Sequence, residues 1–322
     1  MNNILIFIAG IVTIYIGANI LVSNAGKFAR SIGVSPLIIG LTIVGIGTSL
    51  PETAVGVISG LKKTSEISFG NILGADIFDL CLVIGVSAIV NPLVLNVKLV
   101  HRELKWMVFV LLSVILFSLD GKIGLINGLL LFTLNVIYVY YCYYSARKEK
   151  KDAEIIEKEI VELVSDEPVS KSKKPAIYLI QTIIGLVILI FGGEILVNTA
   201  IKFIKMWNLT GEFIGMTLVS FGTALPELTT SVIASYRNEP DISVGNIIGT
   251  VIYNTSAIVG IVSFLDVIDV SKKLLFFQLP FLLLVSFLLF YMVKTGSRIS
   301  RREGFVLVLL YVVFISIVVW MR

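Results

Sequence analysis

Stretches of about 18 or more residues with almost no charge recur along this chain, the length at which an apolar segment reads as a transmembrane helix. Ten such helices are expected, near 4–24, 34–60, 67–90, 104–119 and 123–144, then 176–198, 212–236, 243–265, 274–293 and 303–321. The composition agrees: 57% of the residues are hydrophobic and 15% charged, where a soluble domain carries about 25% charge. The net charge of +4 does not point to nucleic acid, because the basic residues sit in short clusters between apolar segments. The N-terminus lacks the positive run and cleavage site of a signal peptide, so the first helix is expected to stay in the mature protein. Cys81 and Cys142 have no metal-ligand spacing and read as small hydrophobes. His101, the single histidine, reads as an exposed loop residue and excludes zinc catalysis through a His cluster.

The positive-inside rule sets an expected orientation. With the N-terminus outside, the loops after odd-numbered helices carry 18 Lys and Arg and the opposite side carries 8. Both termini are then extracellular in a cell-membrane protein and the central loop cytoplasmic. That loop, 145–175, opens with Arg147-Lys148-Glu149-Lys150-Lys151 and reads as a solvated linker, although Ile156, Ile160 and Leu163 would also suit a short amphipathic helix on the membrane surface. The expected organisation is a five-helix repeat over 1–144, the linker over 145–175 and a second repeat over 176–322.

The two halves align without a gap at an offset of 175 residues; over 17–85 about 26 of 69 positions are identical. Gly47-Thr48-Ser49-Leu50-Pro51-Glu52 pairs with Gly222-Thr223-Ala224-Leu225-Pro226-Glu227, and Gly70-Asn71-Ile72-Leu73-Gly74 with Gly245-Asn246-Ile247-Ile248-Gly249. Five helices per half is an odd number, so the halves enter the membrane from opposite sides. The expected fold class is an all-α polytopic membrane protein with ten transmembrane helices in two inverted-topology five-helix repeats. In such architectures the substrate site lies near the midplane, where interrupted helices occupy matching positions.

The interruption is written in the paired motifs. Pro51 has no N–H, so a carbonyl one turn earlier loses its partner and can face a cation. Thr48 and Ser49 add hydroxyls, and Glu52 adds a carboxylate. The second half repeats the set with Thr223, Pro226 and Glu227. A kink explains the prolines but not the acids: an ionised carboxylate at bilayer depth costs roughly 2.5–3.5 kcal/mol on insertion scales. For Gly70, Gly74, Gly245 and Gly249 close helix packing is the better reading. Asp79 pairs by repeat with Asn254, whereas Asp76 pairs with Val251 and is an acid in one half only. Every candidate donor is a hard oxygen, which suits calcium and sodium rather than zinc or copper. Several carboxylates in one cavity cannot all stay ionised without cations, so protons are expected to compete with metal.

These paired motifs resemble the two alpha repeats of the calcium/cation antiporter superfamily, in its prokaryotic and archaeal sodium/calcium exchanger branch. The resemblance covers nearly the whole chain and is weakest in the central loop and the last two helices. It implies an ion-binding core of the second, third, seventh and eighth helices, with the first and sixth sliding across it. It also implies that Glu52 and Glu227 are carboxylates shared by calcium and sodium, and that backbone oxygens of Thr48 and Thr223 complete the calcium site. The hydroxyls of Thr48, Ser49 and Thr223, with carbonyls near Gly45 and Ser220, would line flanking sodium sites. Thr250 matches a serine ligand, and Asp79 and Asn254 fill the centre. Three departures stand out. Asp79 and Asn254 are exchanged between the halves, Ala75 stands where the family usually has a serine ligand, and Ala224 replaces another serine; Asp76, next to Ala75, is a candidate to compensate or to carry a proton.

The function this implies is secondary antiport of Ca²⁺ against Na⁺ in the lipid bilayer, with no cofactor, no enzymatic activity and no required oligomeric partner. A calcium/proton exchanger stays open as an alternative because of Asp76 and the missing serines. A passive cation channel fits less well, since one chain already holds two matched halves.

Overall fold

The computed structural model describes residues 2–63, 65–163, 175–206 and 223–320. In chain order the helices are α1 (Asn2–Ser31), α2 (Pro36–Thr48), α3 (Leu50–Leu61), α4 (65–90), α5 (Val97–Phe117) and α6 (Leu125–Leu163). The second half gives α7 (Pro175–Met206), α8 (Leu225–Tyr236), α9 (Pro240–Leu265), α10 (Leu274–Gly296) and α11 (Arg301–Trp320). Seven of the described helices are long and apolar enough to cross a membrane, or eight when α2 and α3, bent by 46° at Ser49, count as one span. α5 covers the expected fourth span but carries Lys98, His101, Arg102, Glu103 and Lys105 in its first half. Of the expected seventh span only the part from Thr223 onward is described.

Several boundaries differ from the sequence reading for a physical reason. α6 does not stop at 144; its apolar face gives way to Glu and Lys without any Pro or Gly to break the helix, and it continues through the basic cluster to Leu163. The first part of the expected linker is therefore helix. His101 is not a loop residue either: it lies in α5, half-buried, with its ring stacked on Phe290 at 4.5 Å.

Two short strand pairs tie the halves crosswise. β1 (Leu93–Val94) pairs antiparallel with β4 (Arg298–Ile299), and β2 (Lys122–Ile123) with β3 (Ile268–Asp269). Each pair takes one strand from each half. The turns that close α3 and α8 also match: Lys63 and Asn238, one repeat apart, both take positive φ, 60° and 58°. Lys63 Nζ donates to the Leu265 carbonyl at 2.6 Å and lies 3.6 Å from Asp266, while Asn91 Nδ2 donates to the Ser235 carbonyl and to Asn238 Oδ1, both at 2.9 Å. The Ser65 hydroxyl, 2.8 Å from Asp266, and the nearby Lys63 hold that carboxyl below its usual range.

The main apolar core joins α4, α5, α9, α10 and α11 around Phe69, Ile77, Leu104, Ile247, Leu282 and Leu307. A second, separate cluster gathers α1, α2, α7 and α8 around Leu21, Val22, Val44, Leu189 and Ile233. Within it α1 and α7 meet backbone to backbone. A Cβ on Gly17 would stand 2.5 Å from the Leu189 nitrogen, and one on Gly185 the same distance from the Leu21 nitrogen. On its other side α1 exposes Leu5, Ile8, Val12 and Ile16, as a lipid-facing helix does.

Gly249 brings α9 equally close to α2, where any Cβ would overlap the Leu41 carbonyl. At Gly70 the expected close packing is not found; the nearest atom to a Cβ there is Leu274 Cδ2, at 4.0 Å. Gly249→Ala is accordingly expected to destabilise the protein by about 1–3 kcal/mol, while Gly70→Ala leaves it unchanged or slightly more stable. Thermal melting of the purified protein in detergent separates the two.

Candidate cation site

In the first half the motif folds as two helix ends meeting at a break, and in the second the described residues show the helix start that follows the matching position. α2 ends at Thr48, Ser49 leaves the helical region with φ −80° and ψ 8°, and α3 begins with Leu50-Pro51-Glu52. Ala224 repeats this geometry with φ −84° and ψ 3° before Leu225-Pro226-Glu227. Proline is tolerated in a first helical turn because its missing N–H would have had no partner there. The C-terminal end of α2 and the N-terminal end of α3 therefore meet at Ser49. The carbonyl end favours a cation and the amide end favours the carboxylate of Glu52, so one break assembles both signs of charge.

The breaks are read by the other half. The Gly45 carbonyl accepts from the Ser49 hydroxyl at 2.8 Å and the Thr250 hydroxyl at 3.3 Å, and Ser49 Oγ lies 3.4 Å from Thr250 Oγ1. Thr48 Oγ1 donates to Asn246 Oδ1 at 3.1 Å, and Asn246 Nδ2 donates to Ser231 Oγ at 3.0 Å. Thr223 adjoins Glu52, and Thr48 adjoins Glu227. Asn254 Nδ2 donates to Asp76 Oδ1 at 2.8 Å. Asp79 and Asn254 each open a wide π turn, Asp79–Val83 in α4 and Asn254–Ile258 in α9. A π turn adds one residue and re-aims the side chain at its start, which is common at functional sites.

Glu52, Asp76, Asp79 and Glu227 are at most 1% exposed. They lie close enough for their charges to act on one another: Glu52 on Asp76, Asp79 and Glu227, and Asp79 on Glu227. Both carboxylate oxygens of Glu52, Glu227 and Asp79 are buried without a hydrogen-bond partner, as are Asp76 Oδ2 and Asn254 Oδ1. Buried polar oxygens almost always have partners in folded proteins, so these eight acceptor atoms mark the region as a candidate cation site. Among the described residues no three acidic side chains form a cluster able to hold a metal by themselves. Hydroxyl, amide and carbonyl oxygens have to complete any coordination shell, in keeping with the six to eight oxygens calcium takes.

The structure thus brings together Gly45, Thr48, Ser49, Glu52, Asp76, Asp79, Thr223, Glu227, Thr250 and Asn254 from the sequence reading, in α2, α3, α4 and α9 and around the start of α8. Ser220 lies outside the described residues. Sequence reasoning missed Asn246 and Ser231 as members of this network. The available signal was the matched Asn71 and Asn246, read there only as repeat markers between two glycines.

Matched helix breaks facing a set of buried, unpartnered oxygens define a multi-pass membrane protein of the transporter class. Comparison with known proteins narrows this. The family described as Sodium/calcium exchanger protein matches residues 2–144 and 177–320. This chain belongs to the sodium/calcium exchanger family. It is 27% identical to the sodium/calcium exchanger MaX1 of Methanosarcina acetivorans over 98% of both chains. It is 30% identical to an uncharacterised membrane protein of Methanocaldococcus jannaschii over 96% of both. Solved structures of the sodium-calcium exchanger NCX_Mj share the fold; the form soaked with 10 mM Na⁺ and zero Ca²⁺ has a TM-score of 0.83 at 27% identity, covering 98% of each chain.

Glu52→Gln and Glu227→Gln are expected to behave alike. In ion-free buffer each variant should melt above wild type, since a buried carboxylate without a partner costs several kcal/mol. Added calcium should raise the melting temperature of wild type, by about 2.7 kcal/mol of stability at a hundred times the dissociation constant, and leave both variants unmoved. Thermal melting with and without calcium reads both effects.

Proposed function

We propose that this chain is a secondary active antiporter that exchanges Ca²⁺ for Na⁺ across the cell membrane by alternating access at a midplane carboxylate site. The observation that carries the reading is the set of buried, unpartnered carboxylate oxygens of Glu52, Asp79 and Glu227 between two matched helix breaks. Glu52 and Glu227 bind either one calcium or the sodium ions that replace it. The backbone oxygens of Thr48 and Thr223 complete the calcium shell. The hydroxyls of Thr48, Ser49, Thr223 and Thr250, with carbonyls near Gly45 and Ser220, line flanking sodium positions. Asp79 and Asn254 stand at the centre, with Asp76 beside them.

Exchange follows from mutual exclusion. An occupied site is neutralised and passes the apolar barrier between inward-open and outward-open states. An empty site leaves unpaired negative charge in low dielectric and resists the passage. The inward sodium gradient then drives calcium out, and more than two sodium ions per calcium make the cycle electrogenic. The moving part in this reading is the α1–α7 pair. Its contact through bare backbone at Gly17 and Gly185 supports a pair that shifts as one body.

The membrane arrangement belongs to the same proposal. Ten spans form two inverted five-helix repeats over 1–144 and 176–322, joined by the cytoplasmic segment 145–175, with both termini outside. The crosswise strand pairs and the matched breaks, π turns and positive-φ caps, one repeat apart, support it. Protons compete with metal at the carboxylates, no cofactor takes part, and one chain suffices.

Reconstituted vesicles loaded with sodium and diluted into sodium-free buffer should take up radiolabelled calcium, and Glu52→Ala should abolish the uptake. Uptake driven by a proton gradient and indifferent to sodium would replace this reading with calcium/proton exchange. Calcium flux that runs without any counter-ion would replace it with a channel.

A further inference from the structure

Asp76 has no acidic counterpart in the second half, where Val251 holds its position. Repeat symmetry alone therefore gives no reason for it. The reason lies in what it touches. Its Oδ1 accepts a 2.8 Å hydrogen bond from Asn254 Nδ2, across the boundary between the halves, and both residues are fully buried.

Asn254 and Asp79 are repeat partners at the centre of the site, but they differ chemically in one respect. A carboxylate presents the same face in either orientation, because both of its oxygens accept. An amide has two unlike ends, and a cation needs the oxygen. Left alone, Asn254 could turn either end inward. The hydrogen bond shows which end is used: the amide nitrogen is the group that stands beside Asp76. Asp76 thereby turns Asn254 Oδ1 away from itself, and that oxygen is buried without a donor. The reversed amide would set oxygen against oxygen and aim two N–H groups at the cation. Asp79 needs no such guide, so an acid is required in one half only.

Resting on the exchanger reading, we infer that Asp76 is a positioning residue: it fixes the amide of Asn254 so that Oδ1, and not Nδ2, faces the transported cation. The same device recurs nearby with a neutral group, where Ser231 Oγ accepts from Asn246 Nδ2 and leaves Asn246 Oδ1 to the Thr48 hydroxyl. The ion-binding consequence is specific to the half in which an amide stands for a carboxylate.

The test is equilibrium binding of radiolabelled calcium to the purified full chain in detergent, with vesicle exchange measured alongside. Asp76→Leu removes the acceptor and is expected to weaken calcium binding by about 10- to 100-fold, the usual cost of removing a ligand's orienting partner. Asp76→Asn keeps an oxygen that Asn254 can reach and should lose less. In an Asn254→Ala background, Asp76→Leu should cost little more. Equal losses in both backgrounds would mean that Asp76 touches the ion itself, and would overturn the inference. Should the leucine variant fail to fold, the swapped pair decides. Asn254→Asp alone sets two carboxylates together and should lose binding; adding Asp76→Asn rebuilds a donor and an acceptor and should restore it. Absence of restoration overturns the inference. A wild type that binds calcium with this pattern but shows no sodium-driven uptake sinks the exchanger reading and leaves this one standing. A wild type that binds no calcium sinks both.

Discussion

Everything in this protein is arranged around carboxylates that have nowhere to discharge. Glu52, Asp79 and Glu227 are sealed from solvent and their carboxylate oxygens close no hydrogen bond, although Thr223 adjoins Glu52 and Thr48 adjoins Glu227. In an apolar surround such groups are tolerable only with cations or protons beside them. A soluble protein would satisfy them with arginine or with backbone amides. Here the nearby partners are hydroxyls, amide oxygens and carbonyls, and none of these neutralises charge. The helix breaks at Ser49 and Ala224 reduce the cost slightly, since each carboxylate sits in the first turn of a helix, at its positive end.

The second organising fact is that neither half holds its own site. Thr48 and Ser49 are held by Asn246 and Thr250. Asp76 meets Asn254, and Glu52 meets Thr223. The strand pairs follow the same rule at the periphery, since each joins strands from opposite halves. A displacement of one half against the other therefore changes these contacts directly, without a relay. Meanwhile α1 and α7 contact each other through glycine backbone and share an apolar cluster apart from the main core.

Much of the site was legible because its chemistry is local. Leu-Pro-Glu after Gly-Thr in a hydrophobic run encodes both a break and a buried acid, and the fixed offset of 175 residues announces its partner. What could not be read depends on tertiary pairing. The π turns at Asp79 and Asn254 leave no mark in composition. The bond between Asp76 and Asn254 joins residues 178 apart, and only its geometry reveals which end of the amide is used. Asn246 was visible as a repeat marker, yet its role came from Ser231, which stands in another helix. His101 was misjudged because its flanking charges look like a loop, whereas the ring packs on Phe290 from within α5. The continuation of α6 to Leu163 is not legible in its charged composition, which suits a linker as well as a helix.

The crosswise strand pairing has a temporal side. β1 at Leu93–Val94 cannot find β4 until Arg298–Ile299 has been made. At about 5–20 residues per second, the roughly 200 intervening residues take on the order of 10–40 s to synthesise. Through that interval Glu52, Asp76 and Asp79 are already in the chain, while Asn246, Thr250 and Asn254 do not yet exist for most of it. The newborn first half therefore waits with its acids unmatched until α9, which carries Asn246, Thr250 and Asn254, has been made.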